Sequence, residues 1–387
     1  MKKSSILFIC LLLNTCFSVG QSSVYDFVKP GNAQIGVADT IIYDTRFNYH
    51  SYGYNGPMPQ FVKVWFPLPA NIANPEFLTL ADFYKSDSSD TLARVQAELN
   101  RCYREAIIRD CLEENLITGT ANEFGGHSYA DVLNLLGTIK TRCIARRMSE
   151  KMNAPVILYH HGAQSSPFEN YLMAEYFVSR GYIFIAANFH LPYEQYNFGS
   201  RPYGAVQKGE DEAGLLNLLK FAQRVSSNAP VYFIGHSYGA QMGFRTFDDN
   251  TAIKGMISLE TTIEFKEDTN KIKEMWPEVY QKVIVENAVY PFPVLLCAAT
   301  GKKEPFTFFK DLKSKSLTFA STKEQFEHNA YTSLFYLRYF LDIHQPDKEV
   351  LLDRLQIYIQ HLEMIEKFLG RINSKENLSE SEVLFLK

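Results

Sequence analysis

The pentapeptide Gly235-His236-Ser237-Tyr238-Gly239 holds the residue types for nucleophilic catalysis, a serine set between two glycines. A Gly-x-Ser-x-Gly alone arises by chance in about one in ten chains of this length, so its setting has to carry the weight. The apolar, strand-forming run Val231-Tyr232-Phe233-Ile234 precedes it, and a helix-forming segment follows whose Gly239 and Gly243 allow close approach to a sheet. A strand-to-helix turn of that kind is a nucleophile elbow: strained backbone lifts the serine hydroxyl above the sheet edge, and small neighbours avoid clashes. The competing reading is a structural serine in a glycine-rich turn.

Serine is a weak nucleophile at neutral pH, so a base must take its proton, and around such an elbow the base is a histidine later in the chain. Three histidines follow Ser237. His361 lies in a helical stretch and His344 in the turn spanning residues 342–346, positions that suit packing or surface roles. His328, in Phe326-Glu327-His328-Asn329-Ala330 just past the last expected strand, is better placed to hang an imidazole over the nucleophile. The carboxylate that orients the imidazole and stabilises its protonated form should follow a strand between Ser237 and His328. Glu260, after the apolar run 253–259, and Glu304, after Thr300-Gly301-Lys302-Lys303, both satisfy this, and placement alone leaves both open. Glu264 and Asp311 are weaker, with surface roles the default. An oxyanion would be received by backbone amides of the residue after the nucleophile, Tyr238, and of Ala163 in the loop His160-His161-Gly162-Ala163. The side chains of His160 and His161 read as structural, since no carboxylate pattern accompanies them as metal ligands. Chemistry of this type requires no metal and no cofactor.

These groups need a scaffold. Residues 35–43 and 61–66 are rich in β-branched and aromatic side chains and bounded by Gly, Pro and Asn, which predicts two neighbouring strands forming an antiparallel start. From residue 154 the pattern alternates strand (156–159), helix (171–179), strand (182–186), helix (211–224), strand (231–234) and helix (240–247). Such alternation predicts an α/β architecture with a parallel sheet covered on both faces. Runs at 253–259, 294–299 and 316–320 extend it to about eight strands. The connection between the second and third strands, about 68–153, is too long to be bare loop. Leu92, Val95, Leu99, Cys102 and Tyr103 keep helical spacing there, and a second helix is expected over 129–147 after Gly125-Gly126. This helical insertion is either packed decoration or a cap over the pocket. Leu351, Leu355, Tyr358, Leu362, Ile365 and Leu369 keep a four-three spacing that predicts a packed helix in a C-terminal extension at about 347–370. Val383-Leu384-Phe385-Leu386 has no evident role.

The chain's 387 residues, 46% hydrophobic and 21% charged, suffice for one large domain with an insertion. Met1-Lys2-Lys3, an apolar run over 6–17 and Ser18-Val19-Gly20 before Gln21 form the pattern of a cleavable signal peptide, 1–20, leaving a mature domain over 21–387 and a secreted or periplasmic product. No later run is long enough for a transmembrane helix. Losing Lys2 and Lys3 takes the net charge from −4 to about −6, which argues against nucleic acid as a partner. Arg142, Arg146 and Arg147 read as a solvated helix end. In an oxidising compartment Cys102, Cys111, Cys143 and Cys297 would remain. Cys297, in an apolar run, is expected as a buried strand thiol. Cys102 and Cys111 lie too far apart along one helix to bond, so Cys143 is the expected partner of one of them.

Four stretches together resemble the platelet-activating factor acetylhydrolase family, the α/β-hydrolase kind that includes secreted plasma esterases. They are Gly36 to Phe47 leading to Val62-Lys63-Val64-Trp65-Phe66-Pro67, the His161-Gly162 loop, the elbow, and His328-Asn329. The resemblance implies the α/β-hydrolase fold and hydrolysis of a carboxylic ester, from a small molecule or a lipid, through an acyl-serine. It also implies an acid directly after the strand that follows the elbow, which maps to Glu260, where the family usually carries Asp. The insertion and the C-terminal helix depart from the family pattern and surround the pocket, so substrate identity does not carry over. Two other readings stand beside this one. A serine peptidase or amidase of the same fold shares the triad. A non-catalytic exported binding protein would lack a triad member, and here all three positions are filled.

Overall fold

The computed structural model describes residues 27–84, 92–112, 129–148, 151–196, 205–227, 229–260, 269–298, 307–322, 326–340, 347–374, 376 and 381–386. Residues 1–20, Gly125, Gly126, Glu264, Glu304 and His344 lie outside this set. The chain opens with a long antiparallel hairpin, β1 (Gln34–Ser51) and β2 (Tyr54–Leu68). Two short strands follow, β3 (Phe77–Thr79) and β4 (Lys140–Ala145), the first of them at the edge of the sheet. The central strands are β5 (Val156–His160), β6 (Ile183–Ala187), β7 (Val231–His236) and β8 (Ile253–Leu259). After a small parallel pair formed by β9 (Val289–Tyr290) and β11 (Lys313–Ser314), the sheet is completed by β10 (Val294–Ala298), β12 (Leu317–Thr322) and β13 (Ser381–Leu386).

The sheet has eleven strands in the order β13-β12-β10-β8-β7-β5-β6-β2-β1-β4-β3. From β6 through β13 every neighbouring pair is parallel, and β2 joins antiparallel to β6. Every residue of β5, β6, β7, β10 and β12 is buried. That is the mark of strands covered on both faces, and it explains why they read as unbroken apolar runs in the sequence. Helices α1 (Ala93–Leu112) and α2 (Tyr129–Leu136) belong to the long connection after β2. One layer holds α3 (Tyr171–Val178) and the C-terminal α6 (Lys348–Asn373). The other holds α4 (Ala205–Val225) and α5 (Tyr238–Thr246). All six members of the C-terminal stripe, from Leu351 to Leu369, are buried against the first layer.

Three expectations are corrected. The stretch 129–147 is not one helix: α2 stops at Leu136, and β4 begins at Lys140 with alternating burial. Gly137 interrupts the helical run, and β4 pairs with the exposed edge of β1 through Ile35↔Cys143 and Gly36↔Ile144. Arg142 therefore sits in a strand, its amide donating to Glu175 and its guanidinium to the Val28 carbonyl. The C-terminal Val-Leu-Phe-Leu run is also a sheet strand, pairing in register with β12. With β3 and β4, it raises the strand number from about eight to eleven. Finally, Cys102 and Cys143 are buried thiols with no disulfide, because Cys143 points into the sheet core beside Glu175. Cys297 is a buried thiol in β10, as expected.

Candidate active site

The chain passes from β5 to β6 on one side and returns to β7 on the other, so the carboxyl ends of β5 and β7 flank a switch in strand order, where open α/β sheets bind ligands. Ser237 stands at the end of β7 with φ 52° and ψ −117°. A non-glycine residue there costs about 1–3 kcal/mol and persists only when its surroundings enforce it. Here the Ser237 amide donates to the Leu259 carbonyl at 3.0 Å, while its carbonyl accepts from Ala240 at 3.1 Å and Gln241 at 3.3 Å. The flanking glycines are sterically compulsory. A Cβ at Gly235 would lie 2.5 Å from the Ala240 nitrogen, and one at Gly239 would lie 2.2 Å from the His160 carbonyl oxygen.

Glu260 follows β8 and is fully buried, again at positive φ, 47°. Its amide donates to the Cys297 carbonyl at 2.9 Å, which fixes the turn. The carboxylate lies against Nδ1 of His328. His328 opens a short helical turn, His328–Tyr331, and α6 buttresses that turn from behind. Phe326 stacks on His361 with ring centroids 5.2 Å apart, Tyr331 meets His361 Nε2 at 3.2 Å, and Arg354 is ion-paired with Glu327. His361, 1% exposed, is thus a packing residue. Burial, and after it the neighbouring His236, push the His328 pKa down to about 3, while Glu169 pulls the other way. The imidazole is accordingly neutral at pH 7.

Ser237 and His328 open onto the same cavity of about 230 Å³, lined also by Gly162, Ala163, Gln164, Ser165, Asn329 and Thr332. The structure thus gathers Ser237, His328, Glu260 and Ala163 at one end of the sheet. Tyr238 begins α5, so its amide is one of the helix's N-terminal donors. Asp311 ends the short helix Thr307–Asp311 and does not line the cavity. His160 and His161 are buried, and each ring meets a backbone carbonyl through Nδ1, at 2.9 and 2.7 Å. Burial drives the pKa of both down. Among the described residues no group of three or more His, Cys, Asp or Glu is arranged to hold a metal.

Two residues that sequence reasoning did not single out, Glu169 and His236, also line the cavity. Glu169 is 1% exposed and accepts from the Gly162 amide at 3.0 Å and the Tyr159 hydroxyl at 2.5 Å. His236 approaches the same carboxylate at 3.3 Å. Burial alone would raise the Glu169 pKa, but His236, then His161 and Ser165, hold it at about 2. Nothing in the spacing of Glu169 announces this contact, which runs from the turn before α3 to the end of β7.

No protein-family model matches the chain, and no curated protein sequence matches it. Among solved structures it is similar to a ferulic acid esterase from Streptomyces cinnamoneus, at TM-score 0.54 and 14% identity over 87% of this chain and 90% of that one. It is also similar to an acylaminoacyl peptidase from Pyrococcus horikoshii, at TM-score 0.39 and 17% identity over 59% and 38% of the two chains. A monoacylglycerol lipase from Paleococcus ferrophilus aligns at TM-score 0.35 and 12% identity over 55% and 95%. The fold is that of the α/β-hydrolases.

Proposed function

We propose that the chain is a serine ester hydrolase working through an acyl-Ser237 intermediate. Ser237 Oγ attacks the ester carbonyl as His328 takes its proton, and Glu260 holds the imidazole at Nδ1 and stabilises the imidazolium. The amides of Tyr238 and Ala163 receive the oxyanion. Collapse of the tetrahedral intermediate expels the alcohol, protonated by His328, and water activated by the same histidine then releases the acid. The observation that carries this reading is the buried carboxylate of Glu260 paired with His328 beside the strained Ser237. The α/β-hydrolase fold shared with a ferulic acid esterase supports it.

The cavity walls include Gln164, Ser165, Asn329 and Thr332, and this polarity favours a small or polar acyl group over a long alkyl chain. The finer assignment, a small-molecule or lipid esterase resembling the platelet-activating factor acetylhydrolases and exported after cleavage of residues 1–20, belongs to the same proposal. A panel of p-nitrophenyl esters of increasing acyl length, methyl ferulate and peptide anilides tests it. The expectation is turnover of short esters, near-inert anilides, and loss of activity in Ser237→Ala. Anilide turnover equal to ester turnover would instead make the chain an amidase or peptidase. Cell fractionation with sequencing of the mature N-terminus tests export, and an intact residue 1 on the recovered protein would refute it.

A further inference from the structure

We propose that Glu169 and His236 form a positioning pair that locks the loop carrying His328, and the loop carrying Ala163, onto the nucleophile elbow; this rests on the triad reading above. The pair repeats the logic of Glu260 and His328, a buried carboxylate beside an imidazole, but it is directed at backbone instead of a nucleophile. His236 is 3% exposed, with Nδ1 3.3 Å from Glu169 and Nε2 3.2 Å from the carbonyl oxygen of His328. A carbonyl only accepts, so Nε2 carries the proton in that contact. The two imidazoles lie with ring centroids 4.8 Å apart and planes 33° from parallel, so any slip of the His328 loop must also displace His236.

Glu169 is gripped from three further directions. One oxygen accepts from Tyr159 on β5 and from the Gly162 amide in the loop that leads to Ala163. Its own backbone carbonyl accepts from Leu334, in the segment after the His328 turn, at 3.1 Å. Gly162 is packed so closely that a Cβ there would lie 3.0 Å from His236 Nδ1. A single buried carboxylate therefore joins the strand before the oxyanion loop, that loop itself and the elbow, while the backbone carbonyl of the same residue ties in the segment that follows the base. Only an acceptor fits among these donors. Tyr159, Gly162 and His236 all meet Oε1, so a glutamine keeps an acceptor there and removes the charge that faces His236.

The charged and titratable groups facing His328 are Glu260 from the end of β8, His236 from the elbow, Glu169 from the turn before α3, and the Glu327–Arg354 pair at its own turn. His236 lowers the His328 pKa and Glu169 raises it. Removing each should therefore move the acid limb of kcat/KM in opposite directions, a signature that a merely structural role would not give.

The test uses the full chain with p-nitrophenyl acetate, with active sites counted by a fluorophosphonate. In His236→Gln, kcat per titrated site should fall about 100-fold, the scale of a 1 Å misplacement, with KM little changed and the acid limb moved to higher pH. In Glu169→Gln, kcat should fall comparably and the limb should move to lower pH. If Glu169→Gln does not fold, His236→Gln and His236→Asn decide the matter alone. Unchanged kcat per site with an unmoved limb in the His236 variants overturns the pair's role while leaving the triad standing. Wild-type protein that takes no label at Ser237 overturns the triad reading, and the positioning role with it.

Discussion

Replacing Gly239 by alanine adds one methyl group at the contact that sets the distance between nucleophile and oxyanion loop. The new Cβ would lie 2.2 Å from the His160 carbonyl oxygen and 2.7 Å from its carbon, about 1.2 Å inside ordinary contact. Neither side yields cheaply. His160 ends β5 and is held in register opposite Gly235, and Gly239 sits in the first turn of α5. The methyl group must push the elbow away from the strand leading to Ala163 by about 1 Å, at about 1–3 kcal/mol of stability. Domains of ordinary stability, about 5–15 kcal/mol, survive that loss, so the protein should still fold. Activity should not survive intact, since misplacement on this scale costs about 100-fold in rate. The assay is kcat per fluorophosphonate-titrated site with a short aryl ester, alongside thermal unfolding. Gly370→Ala is the control, on the exposed side of α6 with nothing within 4 Å, where alanine should add about 0.5–1 kcal/mol and leave kcat unchanged. Gly239→Ala with wild-type kcat and an unchanged Tm would refute the reasoning.

Two further predictions follow from buried carboxyl groups. Glu260→Gln should lower kcat by about 10⁴-fold, the scale seen when a triad acid becomes an amide, and Glu304→Gln should leave it near wild type; the reverse ranking would transfer the acid's role to Glu304. Glu175 is fully buried with its pKa raised to about 7 by burial, against opposing pulls from Arg142 and Cys143. Its folded-state pKa lies above the ordinary value of 4.5, so the unfolded chain releases the proton first and folding stability is lost as pH rises between those values. Glu175→Gln should therefore gain Tm relative to wild type progressively from pH 4.5 to about 7 and then level off, and a gap that is constant across that range in differential scanning calorimetry would contradict the assignment.

The elbow, the central strands and the C-terminal stripe were legible because each obeys one local rule: a turn that needs glycine, a run buried on both faces, a helical period. The elements that were not legible owe their state to partners. Residues 140–145 alternate too briefly to outweigh the helical run before them, and they become a strand because β1 presents an open edge. The final apolar run is a strand for the same reason at the opposite edge. The expected disulfide failed because spacing along one helix can exclude a pair but cannot tell where a distant cysteine points. At the site, Ser237 and His328 could be chosen from local context. The choice between Glu260 and Glu304 needed the family resemblance, since both follow strands. Glu169 carries no local signal at all: its partners Tyr159, Gly162 and His236 converge on it only when β5 and β7 lie side by side.

The most direct test of the account is mass spectrometry of the intact chain and its peptides after treatment with a fluorophosphonate, in wild type, Ser237→Ala and His328→Ala. A Ser237–His328 couple should give one phosphonyl adduct per wild-type molecule, on the peptide containing Ser237, none in Ser237→Ala, and labelling slowed by orders of magnitude in His328→Ala. Equal labelling of wild type and Ser237→Ala, or a folded wild type that stays unmodified, would contradict it.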